Sequence, residues 1–298
     1  MANQSSTLCL LGCGNLGGAI LGSLLKEAEQ PLFTRYIATV RSPQSEEKLL
    51  SRFSAEKQRL QISRSNNVKA VQESDVIILG VDPADIEKVL KQDGLREALT
   101  NKLLISIAAG WTRQKLEETI YGSATTERNT SGRAWVVRTL PDIAAQVSQS
   151  LTAIEVSAPA VPERYLQITT AIFERIGRAV QIEPRLMNAT TAVGGSTPAF
   201  FAVICDALID AAVAVGVPRD LAGTMIFQSM QGTATMLQSG VHPSILRDQG
   251  TSPEGCTIGG LMVLEEGAVR GHVGRALREA VTLARLMETQ SHVNDTRR

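Results

Sequence analysis

The sequence predicts an α/β protein in two parts, a doubly wound parallel sheet over residues 1–180 followed by an all-helical domain over residues 181–298. Three observations predict it. Short runs rich in Leu and β-branched residues alternate with amphipathic stretches through the first half, the strand–helix–strand rhythm a parallel sheet requires. After about residue 182 that rhythm gives way to a 3.6-residue period. A chain of 298 residues, at roughly 100–200 per domain, also suits two domains with a core each.

The expected strands are Leu8–Leu11, Tyr36–Val40, Asp75–Val81, Leu103–Ile107 and Trp135–Thr139, with Leu151–Val156 and Ala179–Ile182 closing the series. Val76-Ile77-Ile78-Leu79 is apolar at every position, as a strand covered on both faces must be. Helical patterns lie between, over Gly17–Glu29, Ser45–Glu56 and Asp85–Leu90. From Pro184 onward the pattern is helical, punctuated by Pro218, Gly240, Pro243, Pro253 and Gly267. Pro198–Gly216 is apolar nearly all round, with Asp206 and Asp210 its only charges, so it requires a large core or a partner chain. The polar segment Thr289–Arg298 reads as a loose tail.

Thirty Lys+Arg balance thirty Asp+Glu, which excludes a protein that works mainly by attraction to nucleic acid or an anionic membrane surface. No uninterrupted apolar run approaches the ~18 residues of a membrane span, and the first residues show no signal-peptide pattern. Cys9, Cys13, Cys205 and Cys256 form neither a C-x-x-C pair nor a disulfide framework. A cytoplasmic protein is expected. No Cys/His/Asp cluster has metal-ligand spacing, so no metal site is expected.

The first strand runs into Gly12-Cys13-Gly14-Asn15-Leu16-Gly17 and then a helix, a Rossmann-like G-x-G-x-x-G turn. Gly12 permits the turn, Gly14 lets the backbone approach a pyrophosphate, and Gly17 lets helix and strand pack closely. The helix start offers N–H groups and a positive dipole end to the phosphates. An NAD enzyme usually carries an acid at the end of the second strand; here Val40 is followed by Arg41 and Ser42. Arg41 suits a 2′-phosphate and Ser42 adds a donor, which favours NADPH and leaves NADH as the alternative. The competing reading of Arg41 is an exposed loop arginine.

All eight lysines lie at or before Lys115, so the helical domain offers none for acid–base or Schiff-base work. This sets the chain apart from the β-hydroxyacid dehydrogenases, which pair a similar sheet with a helical domain but rely on a helix lysine. The conspicuous polar feature of the second domain is Arg247-Asp248-Gln249-Gly250-Thr251-Ser252-Pro253-Glu254-Gly255-Cys256-Thr257-Ile258-Gly259-Gly260. It sets hydroxyls, small residues and a proline bend just before an apolar helix. That is either a carboxylate site on helix N–H groups or a capped interhelical loop.

From Gly12 to about Met287 these residues resemble the Δ1-pyrroline-5-carboxylate reductase family. The specific likeness is Asp248–Gly260 with the following Leu261-Met262-Val263-Leu264-Glu265-Glu266-Gly267; Asp75–Pro83, Ile105–Gly110 and Gly194–Ala199 support it. The resemblance implies an NAD(P)H-dependent oxidoreductase acting on CH–NH groups, which reduces a cyclic imine carboxylate to L-proline. It further implies a homodimer, or a higher oligomer of dimers, formed through interlocked helical domains. By resemblance Ser252, Gly255, Cys256 and Thr257 bind the substrate, and the Thr257 hydroxyl hydrogen-bonds the imine nitrogen. Gly12, Cys13, Gly14, Asn15, Leu16, Gly17, Arg41, Ser42 and Val81 are assigned to the cofactor. Asn67 is placed at its adenine ribose, and Ala108 and Ala109 beside the nicotinamide ribose.

The chain departs from the family pattern at four positions that matter. Asp82 replaces Lys, Asp142 replaces Asn, Ala144 replaces Pro, and Glu254 replaces the first glycine of an S-P-G-G turn. Asp82 brings negative charge toward the cofactor, and Glu254 toward the substrate carboxylate. These changes motivate two alternatives: reduction of a substituted or six-membered cyclic imine, and a non-catalytic NADP-binding protein.

Overall fold

The structure is a computed structural model that describes residues 6–26 and 31–290. The expected end of the first helix near Glu29, and the tail beyond residue 290 with His292, lie outside the described residues. The chain divides into two compact units, Met1–Gly195 with Val281–Arg298, and Ser196–Ala280.

The first unit is built on a single sheet of eight strands: β1 Thr7–Leu11, β2 Arg35–Val40, β3 Leu60–Arg64, β4 Val76–Leu79, β5 Leu103–Ser106, β6 Trp135–Leu140, β7 Ser150–Glu155 and β8 Gly177–Ile182. Their order is β3-β2-β1-β4-β5-β6-β7-β8. The first six are parallel and reverse direction of travel at β1, the doubly wound arrangement in which a dinucleotide lies across the C-terminal strand ends. β7 joins β6 antiparallel, pairing Thr139 with Ile154, and β8 follows β7 in parallel.

Alternation along each strand divides the core into two layers. Leu8, Leu10, Ile78, Ile105 and Val137 face the helix Asn15–Leu25 and the helix Glu163–Glu174, through Ile20, Leu21 and Phe173. Cys9, Leu11, Ile77, Leu79 and Leu104 face the other layer, with Leu95 and Leu116. Two covered faces explain why Val76–Leu79 is apolar throughout.

β3 was not among the expected strands. Leu60-Gln61-Ile62-Ser63-Arg64 holds one buried side chain, Leu60, and closes the sheet edge, where one partner and one wet face suffice. The unit boundary also differs from the expected residue 180. The helix Met187–Gly195 buries Met187 and Ala192 and packs on β6 and β7, so the sheet unit runs on to Gly195. The end of the last helix, Val269–Thr289, belongs to the sheet unit from Val281.

The second unit is all helix: Thr197–Ala214, Arg219–Gln238, Pro243–Gln249, Cys256–Glu266 and the first part of Val269–Thr289. Gly216 turns between the first two at φ +95°, and the Val217 N–H closes the first helix on the Ala212 carbonyl at 3.0 Å. Those two helices pack together, yet Cys205 is the one buried residue of the first, and Ala222 and Gly223 those of the second. Phe201, Val203 and Leu208 are at least half exposed. A groove of about 510 Å³ between the two is lined by Phe201, Cys205, Ile209, Phe227 and Met230.

One expectation needs correction. Pro184–Ala214 has a mean hydropathy of 1.7 over its best 18-residue window and is long and apolar enough to cross a membrane by length and composition alone. No uninterrupted apolar run marks it, because Asp206 and Asp210 break the run while the apolar residues around them keep the average high.

Candidate active site

In the sheet unit the glycine turn is built as the spacing requires. Gly12 sits at φ +91°, and a Cβ there would lie 2.6 Å from the Val81 backbone nitrogen. Only glycine fits, and Val81 is the residue that presses on it. A Cβ on Gly17 would come within 3.3 Å of the Gly12 carbonyl, which is the close helix–strand packing expected. Gly14 is the opposite case: exposed, with nothing within 4 Å of an added Cβ. It caps the helix Asn15–Leu25 with extended backbone and no side-chain hydrogen bond, so the first N–H groups of that helix stay open to an anion. This cradle fits a pyrophosphate. Asn15 is exposed, Leu16 half-buried, and Cys13 buried with its thiol pushed up to about 12 by burial. The thiol is therefore neutral and adds no charge against a phosphate.

Two residues that sequence reasoning missed hold the turn. Thr39 of β2 accepts the Gly12 N–H on Oγ1 at 3.0 Å, and its carbonyl accepts the Cys13 N–H at 2.7 Å. Gly80 passes so close that a Cβ would meet the Gly12 carbonyl at 2.9 Å. A buried hydroxyl inside the apolar run Ile37-Ala38-Thr39-Val40 was the available signal for the first.

At the end of β2, Arg41 is 85% exposed and pairs with Asp85 at 2.6 Å. Its guanidinium is at the surface and able to turn, and a 2′-phosphate would compete with Asp85 for it. Ser42 caps the helix Pro43–Arg52, its Oγ accepting the Ser45 N–H at 3.2 Å and lying 2.9 Å from Ser45 Oγ. Cation, paired hydroxyls and helix start lie in one stretch of chain that could hold an anion, and Ser45 stands beside Ser42 there. Asn67 opens the helix Asn67–Gln72, and its Nδ2 donates to Gln92 at 3.2 Å. Ala108 is buried after β5 with its N–H donated to Ser106 Oγ at 3.3 Å, and Ala109 is half-buried beside it.

Three departures have local accounts. The Asp82 carboxylate accepts the Ala84 N–H at 2.9 Å and caps the turn Pro83–Asp85, so its charge serves a cap on an exposed residue. Asp142 is buried and uses both oxygens, Oδ1 accepting from Ala144 N–H at 2.8 Å and Oδ2 from Leu151 N–H at 3.2 Å. A proline at 144 would lack the first donor, and an asparagine would lack the second acceptor. The changes at 142 and 144 are thus one coupled change.

In the helical unit, Gly255 caps the helix Cys256–Glu266 with extended backbone and no side-chain hydrogen bond. Its N–H donates to the Ser252 carbonyl at 3.1 Å, and a Cβ on it would lie 2.4 Å from Ser252 Oγ. Ser252, Cys256 and Thr257 are exposed around this helix start, with Thr257 its second residue. The loop is held from behind: Thr251 Oγ1 donates to the Arg247 carbonyl at 2.7 Å, and Arg247 pairs with Asp248 at 2.7 Å. Glu254 is exposed and adopts φ +60°, a left-handed conformation that suits the glycine it replaces. A groove of about 420 Å³ lies beside the loop, lined by Arg247, Thr251, Ile258, Met262 and Glu265; Ser252 and Thr257 are outside it.

The comparisons with known proteins match the two parts of the chain separately. Residues 184–287 match the family model for pyrroline-5-carboxylate reductase dimerisation, and residues 7–110 match that for NADP oxidoreductase, coenzyme F420-dependent. A pyrroline-5-carboxylate reductase of Lophium arboricola is 42% identical, with 98% of this chain and 96% of that protein covered. The pyrroline-5-carboxylate reductase structure from Coxiella burnetii superposes with a TM-score of 0.81 at 25% identity, over 96% of this chain and all of that one. Plasmodium falciparum pyrroline carboxylate reductase with NADP bound shares the fold at a TM-score of 0.79 and 23% identity, over 97% of this chain and 100% of its own.

Proposed function

The chain belongs to the pyrroline-5-carboxylate reductase family, and from that premise we propose that it reduces Δ1-pyrroline-5-carboxylate to L-proline with NADPH. The observation that carries the reading is the uncapped start of the helix Cys256–Glu266, with its Ser252–Gly255 turn and Thr257 hydroxyl, on a chain that also holds the Gly12–Gly17 cradle. When bound, NADPH supplies a hydride from the nicotinamide ring. The backbone N–H groups of Cys256 and Thr257, at the open start of the helix, take the substrate carboxylate, as a helix start favours an anion. The Thr257 hydroxyl donates to the imine nitrogen, which makes the C=N carbon more electrophilic and needs no strong acid. That suits a helical unit without lysine. Arg41, Ser42 and Ser45 take the 2′-phosphate.

The apolar face of the helix Thr197–Ala214 seats a second copy of the chain, so the working form is a homodimer or an oligomer of dimers. The family's dimerisation match over this stretch supports that use of the surface over a membrane span. Free thiols at Cys9, Cys13, Cys205 and Cys256 suit a reducing compartment, and we place the enzyme in the cytoplasm. Glu254 favours a second reading, a substituted or six-membered cyclic imine, because it sets a carboxylate in the substrate turn.

The test is NADPH oxidation, followed by absorbance, with Δ1-pyrroline-5-carboxylate beside its six-membered homologue and with NADH as comparison cofactor. Preference for the five-membered substrate with NADPH supports the proposal. Turnover of the homologue alone selects the second reading, and NADPH binding with no turnover of either overturns both.

A further inference from the structure

Arg138, on β6, is buried to 3% side-chain exposure. Its guanidinium meets two carboxylates from two other elements: Glu155 of β7 at 3.7 Å and Glu288 of the helix Val269–Thr289 at 2.9 Å. Glu155 is itself 6% exposed, while Glu288 retains 21%. Its Nε has no hydrogen-bond partner among the described residues. A buried guanidinium is costly unless closely paired, and Glu288 is the close partner. The pair therefore fixes the last turn of the final helix against the C-terminal end of β6, within the sheet unit.

That turn has a second contact. Gly110 lies at φ +76°, and a Cβ there would stand 2.9 Å from the Met287 carbonyl and 3.4 Å from Met287 Cβ. The backbone of residue 287 is thus pressed against the loop that leaves β5. The same loop is tied to the sheet at its start, where Ser106 Oγ accepts the Ala108 N–H and Thr139 Oγ1 donates to the Ser106 carbonyl at 3.0 Å. Ser106 and Arg138 are register partners. The loop 107–110 is therefore braced at its root by β6 and at its far end by the helix turn that Arg138 holds.

The strand order says what this loop serves. The cation and hydroxyls for the 2′-phosphate follow β2, on one side of the glycine turn, so the nicotinamide half of the dinucleotide extends over the ends of β4 and β5 on the other side. We infer that Glu288 is a positioning residue for the nicotinamide half of the cofactor: paired with Arg138, it holds the end of the last helix as a backstop behind Ala108–Gly110. The inference rests on the cofactor reading above. It assigns the last helix a role in hydride-transfer geometry, where a displacement of about 1 Å costs on the order of 10²-fold in rate.

The test compares Glu288→Ala and Glu288→Gln with wild type in three measurements. Amide hydrogen exchange of the ligand-free protein at residues 108–110 needs no cofactor reading, and faster exchange in Glu288→Ala is expected. In ligand binding, Glu288→Ala should weaken NADPH by about fivefold and lower kcat by about tenfold, while 2′-phospho-ADP-ribose, which lacks the nicotinamide, binds within about twofold of wild type. Glu288→Gln, which keeps an acceptor for Arg138, should recover much of the loss. Gly110→Ala pushes on Met287 with the ion pair intact and should give the same split between the two ligands. Unchanged exchange at 108–110 overturns the backstop. Equal weakening of both ligands overturns the positioning role in favour of general destabilisation. Failure of the wild type to bind 2′-phospho-ADP-ribose overturns the cofactor reading, and the inference with it.

Discussion

Thr257 and Arg41 carry the proposed chemistry, and each is exposed enough to be changed without disturbing a core. Thr257→Ala should lower kcat on the order of 10²-fold, the cost of losing one donor to the reacting group, with NADPH affinity unchanged. A variant with undiminished turnover would remove Thr257 from the mechanism. Arg41→Ala should weaken NADPH about tenfold or more and leave NADH nearly as before, measured by equilibrium binding of each, since a charge-assisted hydrogen bond nets about 1.5–3 kcal/mol. Asp85 sharpens the test: freed of its partner, Arg41 in Asp85→Asn should bind NADPH more tightly than wild type. Glu254 occupies a left-handed position at a conformational cost of about 1–2 kcal/mol that glycine escapes, offset by glycine's larger loss of freedom on folding. Glu254→Gly should therefore stabilise the helical unit by about 0.5–1 kcal/mol in denaturant titration.

At the scale of elements, the parallel strands were legible because both faces are covered, so Val76–Leu79 and Leu103–Ile105 carry an unbroken apolar signal. β3 was not, because an edge strand needs one buried residue and a partner, and its sequence resembles a loop. The coupling between positions 142 and 144 belongs to this scale, since it ties the turn Ile143–Val147 to β7. Read singly, Asp142 and Ala144 look like erosion of a motif; together they form one carboxylate with two backbone donors. Asp142→Asn and Ala144→Pro, measured singly and combined by chemical denaturation, should be non-additive by about 0.5–1.5 kcal/mol: an asparagine has one acceptor oxygen for two backbone donors, and the proline removes one of those donors. Additive losses would show that the two positions act independently.

Across the whole chain the two units show opposite economies of surface. The sheet unit buries its apolar residues in two layers, whereas the helices Pro243–Gln249 and Cys256–Glu266 bury none of theirs within the chain. Large apolar side chains such as Val203 and Met262, at 69% and 60% exposure, exceed what scattered surface residues explain. Sedimentation should accordingly show a dimer or larger species at micromolar concentration, and Phe201→Asp with Leu208→Glu should shift it toward monomer. A wild type that sediments as a monomer would remove the second copy from the proposal.

The class of sheet, the place of the glycine turn, the cation after β2 and the family could all be read from the amino-acid sequence. These depend on local rules: a buried parallel strand must be apolar throughout, and a turn that must reach φ +91° against Val81 must be glycine. Which residues hold those pieces in place became visible in the folded chain alone. Thr39 under the turn, Ser45 beside Ser42, the bond of Asp142 and Ala144, and Glu288 on Arg138 are contacts between positions 2 to 150 residues apart. Thr39 and Glu288 join segments that no periodicity or motif links, and polar side chains find such distant partners only once burial has brought the elements together.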